Sequence, residues 1–369
     1  MAFTLRTPLC SLFGIDHPVL QSGMRNVAGP ELVAEVSRAG GLGILAGYGI
    51  TPDALRSDIR KVRALTDRPF GVNLWMHEAL QPPAAPETVP EEAVRAAQSV
   101  LNGFRERLGV PEKEPRIDPV PDVLEASFDV VVEEGVPVFS VGLGNPGAER
   151  VARCHARGIR VMGMASTLVD ARALEGSGVD VVVAQGSEAG GHRSTWVKRP
   201  SPQAAAVGTM TLVPELVDAL RVPVVAAGGI ADGRGLVAAL ALGAEGVLLG
   251  TRFVATVEST APAFFKDAIV TGDGDRTLVT DVFTGLYARA IENRFTREYA
   301  ASGAPVLPPF LHRSLAGDVP VAAARRGDPE LYPMLAGQSM GIVRDLPHAG
   351  DVVRNVVREA ERVLATLTG

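Results

Sequence analysis

The 369-residue chain is 46% hydrophobic, sets 42 acidic residues against 36 lysines and arginines, and has only two cysteines, Cys10 and Cys154. A net charge of −6 without a long basic run argues against nucleic acid as a partner, and two cysteines supply neither a disulfide framework nor a four-cysteine zinc site. No apolar run is long enough to span a bilayer, and the start lacks a basic stretch followed by an apolar core, so the expectation is an ordered cytoplasmic chain of one or two domains that makes no membrane contact.

Taken in chain order, short Val/Ile/Leu/Gly runs alternate with segments of helical period, which predicts parallel strands covered by helices. The predicted strands are Val19–Ser22, Gly41–Ala46, Phe70–Leu74, Val136–Val141, Ile159–Gly163, Val179–Ala184, Val222–Ala227 and Gly246–Gly250. Eight strands close a barrel. Helix starts are marked by Gly29-Pro30-Glu31, Thr51-Pro52-Asp53 and Asn145-Pro146, and helix ends by Gly40 and Gly158.

Two stretches break this rhythm. Residues about 76–130, with Gln81-Pro82-Pro83-Ala84-Ala85-Pro86 near their start, read as a helical insertion after the third strand. About a hundred residues follow the eighth strand, where a barrel needs one helix. The expectation is a (β/α)8 TIM barrel over residues 1–255, a second, smaller, mainly helical domain on the substrate side over 256–345, and a closing barrel helix over 346–369. That helix would present Val353, Val356, Val357, Ala360, Val363, Leu364 and Leu367 on one face.

In such a barrel the chemistry sits just past the carboxyl ends of the strands. The sixth strand runs into Gln185-Gly186-Ser187-Glu188-Ala189-Gly190-Gly191-His192. His192 can donate, accept or carry charge near neutral pH, and its flanking glycines leave room for a substrate; the alternative is a loop histidine that caps a carbonyl. Glu188 either orients a neighbour or faces solvent. Gly228-Gly229 after the seventh strand and Leu249-Gly250-Thr251 after the eighth suit a phosphate, because glycine lets backbone N–H groups approach an oxyanion and the helix beginning near Asp232-Gly233 adds a dipole. Gly-Gly could instead simply turn the chain. Asn73 and Gln185 offer neutral amides either to a planar heterocycle such as a flavin or to a polar cluster at the rim. The six histidines lack metal-ligand spacing, and no Gly-x-Ser-x-Gly opens a helix, so neither a metal site nor a serine hydrolase is expected.

These segments, with Gln21-Ser22-Gly23-Met24 and Ser37-Arg38-Ala39-Gly40-Gly41-Leu42-Gly43, occur in an order that resembles the nitronate monooxygenase (2-nitropropane dioxygenase) family over nearly the whole chain. The resemblance implies an FMN-binding barrel that oxidises alkyl nitronates such as propionate 3-nitronate with dioxygen to a carbonyl compound and nitrite. It implies FMN contacts from Met24, Asn73, Gln185, Gly190, Gly228, Gly229, Leu249, Gly250 and Thr251. It makes His192 the catalytic residue. A homodimer is compatible with it. The chain departs from many relatives at Ser194, where glycine is frequent, and at Leu286, where arginine is. Two rival readings share the loops: an FMN-dependent NAD(P)H:quinone or enoyl-thioester reductase, and a flavin-free isomerase or lyase acting on a phosphorylated substrate.

Overall fold

A computed structural model describes residues 5–77, 80, 83–195 and 206–368; Gln81 and Pro82 of the proline-rich run lie outside the described residues. The parallel strands are β1 (Val19–Gln21), β2 (Gly43–Ala46), β3 (Phe70–Met76), β4 (Val138–Gly144), β5 (Arg160–Ala165), β6 (Val181–Gln185), β8 (Val224–Ala227) and β9 (Gly246–Leu249). A two-residue strand, β7 (Gly191–His192), lies between β6 and β8 in sequence but in a different sheet.

The eight parallel strands follow the order β1-β9-β8-β6-β5-β4-β3-β2. A Leu20–Leu42 bridge closes the ring, with Gln21 N–H on Leu42 O at 2.9 Å and Leu42 N–H on Val19 O at 3.0 Å. Gln21 has no exposed surface and reinforces this seam: its side-chain oxygen accepts from Ile44 N–H at 3.0 Å. A polar side chain in a barrel core is tolerated because the seam satisfies it.

The helix signals hold. Thr51 caps α3 (Pro52–Leu65) through Ala54 N–H. Proline opens α2 (Pro30–Arg38), and Asn145 turns the chain into α6 (Gly147–His155) by accepting from Gly147 N–H at 2.9 Å. The last helix, α15 (Ala349–Thr368), packs between α2 and α9 (Gly233–Ala241), the place a closing barrel helix must take. The approach is backbone to backbone, since a Cβ on Gly233 would lie 2.3 Å from Ala360 N. Val353, Val356, Val357 and Ala360 are buried as expected, but Leu367 is 72% exposed because the helix has run past the barrel by then.

After α10 (Thr251–Val254), the chain forms α11 (Ala263–Thr271), α12 (Arg294–Ser302), α13 (Leu311–Ala316) and α14 (Asp318–Arg326). It also forms an antiparallel pair absent from the sequence reading, β10 (Thr277–Thr280) and β11 (Ala288–Ile291). The pair recruits β7 as its third strand, with Ala288 opposite His192. The 76–130 insertion contains α4 (Glu91–Arg107) and α5 (Leu124–Glu133). A separate apolar cluster joins α4 to residues 282–331 through Leu101, Phe104, Phe295, Leu311 and Val319.

Candidate active site

A cavity of about 490 Å³ opens at the carboxyl ends of the barrel strands. Met24, Asn73, Gln185, Gly190, His192, Gly228, Gly229, Gly250 and Thr251 all line it. Leu249 does not, because the last residue of β9 points its side chain into the apolar layer and only its carbonyl faces the loop, accepting from Ser22 N–H.

Gly228 and Gly229 have φ of +104° and +73°, a conformation that costs glycine little. The backbone N–H groups of Gly229, Gly250 and Thr251 have no acceptor among the described residues. A Cβ on Gly250 would meet nothing nearer than Met24 Sδ at 3.6 Å, so packing within the protein does not explain glycine there. The start of α9, by contrast, is already capped. Asp232 accepts from Gly235 N–H, and Glu359 accepts from Gly233 N–H at 3.0 Å, so those two N–H groups are not free to donate into the cavity.

Glu188 also proves to be a cap. Its carboxylate accepts from Thr209 N–H at the start of α8 (Thr209–Ala219), and the Thr209 hydroxyl lies 2.9 Å from both Glu188 Oε2 and Gly228 O, between which it shares its one proton. Gln185 holds the neighbouring loop: Oε1 accepts from Ser166 Oγ at 2.7 Å and Ser194 N–H at 2.8 Å, while Nε2 donates to His192 O at 2.9 Å. With its oxygen doubly engaged, Gln185 acts mainly as a support for the histidine loop, leaving one N–H for a ligand. Asn73 donates to Ser140 Oγ at 3.0 Å and is hemmed in by Gly23 and Gly142, where any Cβ would collide with it.

His192 is the centre of the loop. Its ring meets Trp75 edge to face at 4.8 Å, Trp75 stacks on Tyr48 at 4.1 Å, and Nε2 lies 2.9 Å from Thr284 Oγ1. Burial pushes its pKa down to about 4, so the imidazole is neutral around pH 7. Arg193, beside it, is buried and donates to Gly186 O at 2.7 Å and Gln185 O at 3.1 Å; burial, then the nearby Arg289, pushes its pKa down to about 10. Arg289 donates to Ser187 O. Two arginines thus fix the loop's carbonyls.

The segment around Gly337 closes one side. Gly337 N–H donates to Thr251 Oγ1 at 2.8 Å and Gln338 N–H to Glu188 O at 2.9 Å. Gly190 is required by this contact, since its Cβ would lie 2.4 Å from Gly337 N. Phe283, Leu286, Tyr332 and Leu335 make the outer wall apolar. Sequence reasoning missed Trp75, Thr284 and Arg193; only the last, adjacent to His192, carried a local signal.

A parallel eight-stranded barrel with a glycine-lined, histidine-bearing cavity at its carboxyl face is the framework of a barrel enzyme. The nitronate monooxygenase family model matches residues 6–359, and the chain belongs to that family of enzymes. It is 36% identical to a probable nitronate monooxygenase of Staphylococcus saprophyticus, covering 98% of this chain and 99% of the relative. Identity to a probable nitronate monooxygenase of Staphylococcus aureus strain Newman is 34%, over 96% and 98%. Among solved structures it is similar to the nitroalkane oxidase of Streptomyces ansochromogenes (TM-score 0.87, 36% identity, covering 98% and 99%). It is also similar to FabK of Thermotoga maritima (TM-score 0.76, 32% identity, covering 98% of each chain). No helix among the described residues is long and apolar enough to cross a membrane, and no group of three or more metal-ligating side chains occurs among them.

Proposed function

We propose that this protein binds FMN and oxidises alkyl nitronates, propionate 3-nitronate among them, with dioxygen to a carbonyl compound and nitrite. The observation that carries the cofactor is the set of acceptor-free N–H groups on Gly229, Gly250 and Thr251 around a space that a Gly250 side chain would fill. Those donors suit one phosphomonoester. The amides of Asn73 and Gln185, with Met24 and Gly190, supply a neutral lining suited to a flavin ring. When bound, FMN supplies the redox chemistry, accepting electrons from the nitronate and passing them to dioxygen.

The chain's own part is orientation and proton control. His192 is neutral, so its contribution is a hydrogen bond or a proton acceptor rather than a fixed positive charge. With Nε2 at Thr284, the other ring nitrogen, Nδ1, has no protein partner among the described residues. If the threonine hydroxyl donates to Nε2, Nδ1–H can donate to a nitronate oxygen. If Nε2–H donates to Thr284, Nδ1 can take the α-proton of a neutral nitroalkane. The apolar wall of Phe283, Leu286 and Tyr332 keeps water from the reacting carbon.

The same reading assigns residues 1–255 and 346–369 to the FMN barrel and 256–345 to the substrate side; the separate apolar cluster supports this for 282–331, with α4 of the insertion packed alongside them, whereas Phe265, Ile269, Met334 and Met340 pack in the barrel's cluster. The test is the flavin content of the purified protein. Heat-released FMN at about one per chain is expected; FAD would overturn the cofactor assignment, and a colourless, phosphate-binding protein would favour the isomerase or lyase reading.

A further inference from the structure

A second cavity, of about 410 Å³, adjoins the first. Arg25, Tyr48, Trp75, Phe310 and Arg313 line both. The partition is therefore the stacked Tyr48–Trp75 pair, whose far edge touches His192, flanked by two guanidinium groups. Both guanidinium groups converge on Gly49: a Cβ placed there would lie 2.2 Å from Arg25 Nη1 and 3.4 Å from Arg313 Nη1.

Neither arginine has an ion-pair partner among the described residues, and Arg25 Nε is buried without an acceptor. Of the two acids among the second cavity's described lining residues, Asp318 has its carboxylate already held by Arg105 and Lys113. Asp122, the other acid on that wall, is exposed. Burial also draws the Arg25 pKa downward, the direction expected of a cation that has lost water without gaining a counter-ion. Phe310, from which α13 begins, sits at φ +65°, an uncommon conformation for a bulky residue. Strain of this kind persists where surrounding structure enforces it, here at the shared wall one turn before Arg313.

We infer that Arg25 and Arg313 together bind an anionic group, a carboxylate or phosphate, on the substrate whose reacting carbon lies at His192. Two forked guanidinium groups around one point match the lone pairs of an oxyanion and lose their mutual repulsion when one binds. The ligand would run from the flavin cavity past the edge of Trp75, with its remaining length in the second cavity. This substrate assignment rests on the function proposed above, whereas the anion site itself does not.

The test uses the flavin-loaded enzyme, the double variants R25Q/R313Q and R25K/R313K, and two readouts. In turnover, the ratio of kcat/KM for propionate 3-nitronate to that for propyl-1-nitronate is expected to fall at least tenfold in the glutamine variant, mainly through KM, with partial recovery in the lysine variant. In calorimetry, binding of 3-nitropropionate should weaken by a similar factor relative to 1-nitropropane. Equal effects on the charged and uncharged ligands would overturn the inference, as would no effect on either. Charge-selective binding lost in the variants, in an enzyme that oxidises no nitronate, would sustain the anion site while defeating the proposed function. Titration with inorganic phosphate and with propionate separates the sources: preferential loss of phosphate binding assigns the site to a phosphate-bearing ligand, and loss of propionate binding to a carboxylate.

Discussion

Around the barrel rim, each group that faces the cavity follows its own strand within a few residues: Asn73 on β3, Gln185 ending β6, Gly228 after β8, and Gly250 after β9. The opposite wall is assembled differently. There α4 meets α14 through Arg105, which is wholly buried, donates to both Asp318 oxygens at 3.0 and 2.8 Å and to Leu315 O at 2.7 Å, and lies 213 residues from Asp318 in sequence. The rim depends on local strand geometry, whereas the wall depends on distant packing. Cofactor retention should therefore survive damage to the wall, and substrate handling should not.

The largest expected effect is at the rim. Gly250→Asp has room for its Cβ, so the barrel should fold, yet its carboxylate would oppose a phosphate at the same donors. Complete loss of FMN from a protein with wild-type far-ultraviolet circular dichroism is expected; full flavin content would place the phosphate elsewhere. His192→Asn should keep FMN and lose about 10²- to 10⁴-fold in kcat/KM, the usual worth of a general acid or base. Steady-state rates on nitroethane and on its preformed nitronate then separate the two tautomeric roles: a far larger loss on nitroethane marks a base, and equal losses mark a hydrogen-bond donor.

At the wall, Arg105→Ala removes the bonds to Asp318 and to Leu315 O while leaving the part-exposed Asp318 with Lys113, and should cost about 1.5–3 kcal/mol. Urea melts followed by flavin fluorescence and by circular dichroism should then separate into two transitions, the barrel's being the later. A single unshifted transition would show that Arg105 does not tie the two parts together.

Stability should also depend on pH. His192 and His312 both have folded pKa values pushed down to about 4 by burial. His312 is neutral between Leu307 N–H, which it accepts, and Val282 O, to which it donates. Against an unfolded value of about 6.5, the folded state binds fewer protons, so stability is fully present above about pH 6.5 and declines as pH falls toward 4. Each histidine contributes at most roughly 3 kcal/mol to that decline. Thermal melts across this window should show it, with a shallower slope in His312→Gln; an unchanged slope would contradict the buried neutral assignment.

Much of the rim was legible because βα units announce themselves locally: a buried run, then glycine and polar residues, then a capped helix. All eight strands begin within two residues of their predicted starts, and β2 begins at Gly43 rather than Gly41 because Leu42 forms the closing bridge instead of a ladder. Glu188 remained ambiguous since its partner, Thr209, lies 21 residues further on and gives no local signal. For Gln185 the choice between a heterocycle and a rim polar cluster stays open in the sequence because its bonds to Ser166 and Ser194 arise only once β5 and β6 are paired. The β10–β11 pair gives no clear signal in sequence since its strands are only four residues each, β10 is half-buried throughout, and its third member is the two residues Gly191–His192. Nothing near Arg25 in sequence points to Arg313, or near Arg105 to Asp318.

Oxygen uptake is the most direct test of the central claim. The FMN-loaded enzyme is mixed with propyl-1-nitronate, without pyridine nucleotide, while dissolved oxygen and nitrite are followed together. Oxygen consumption should begin on nitronate addition, with nitrite accumulating in step and no dependence on added NADH or NADPH. No uptake with the nitronate, combined with steady oxidation of NADH by a quinone or an enoyl thioester on the same protein, would contradict it and make the barrel a reductase.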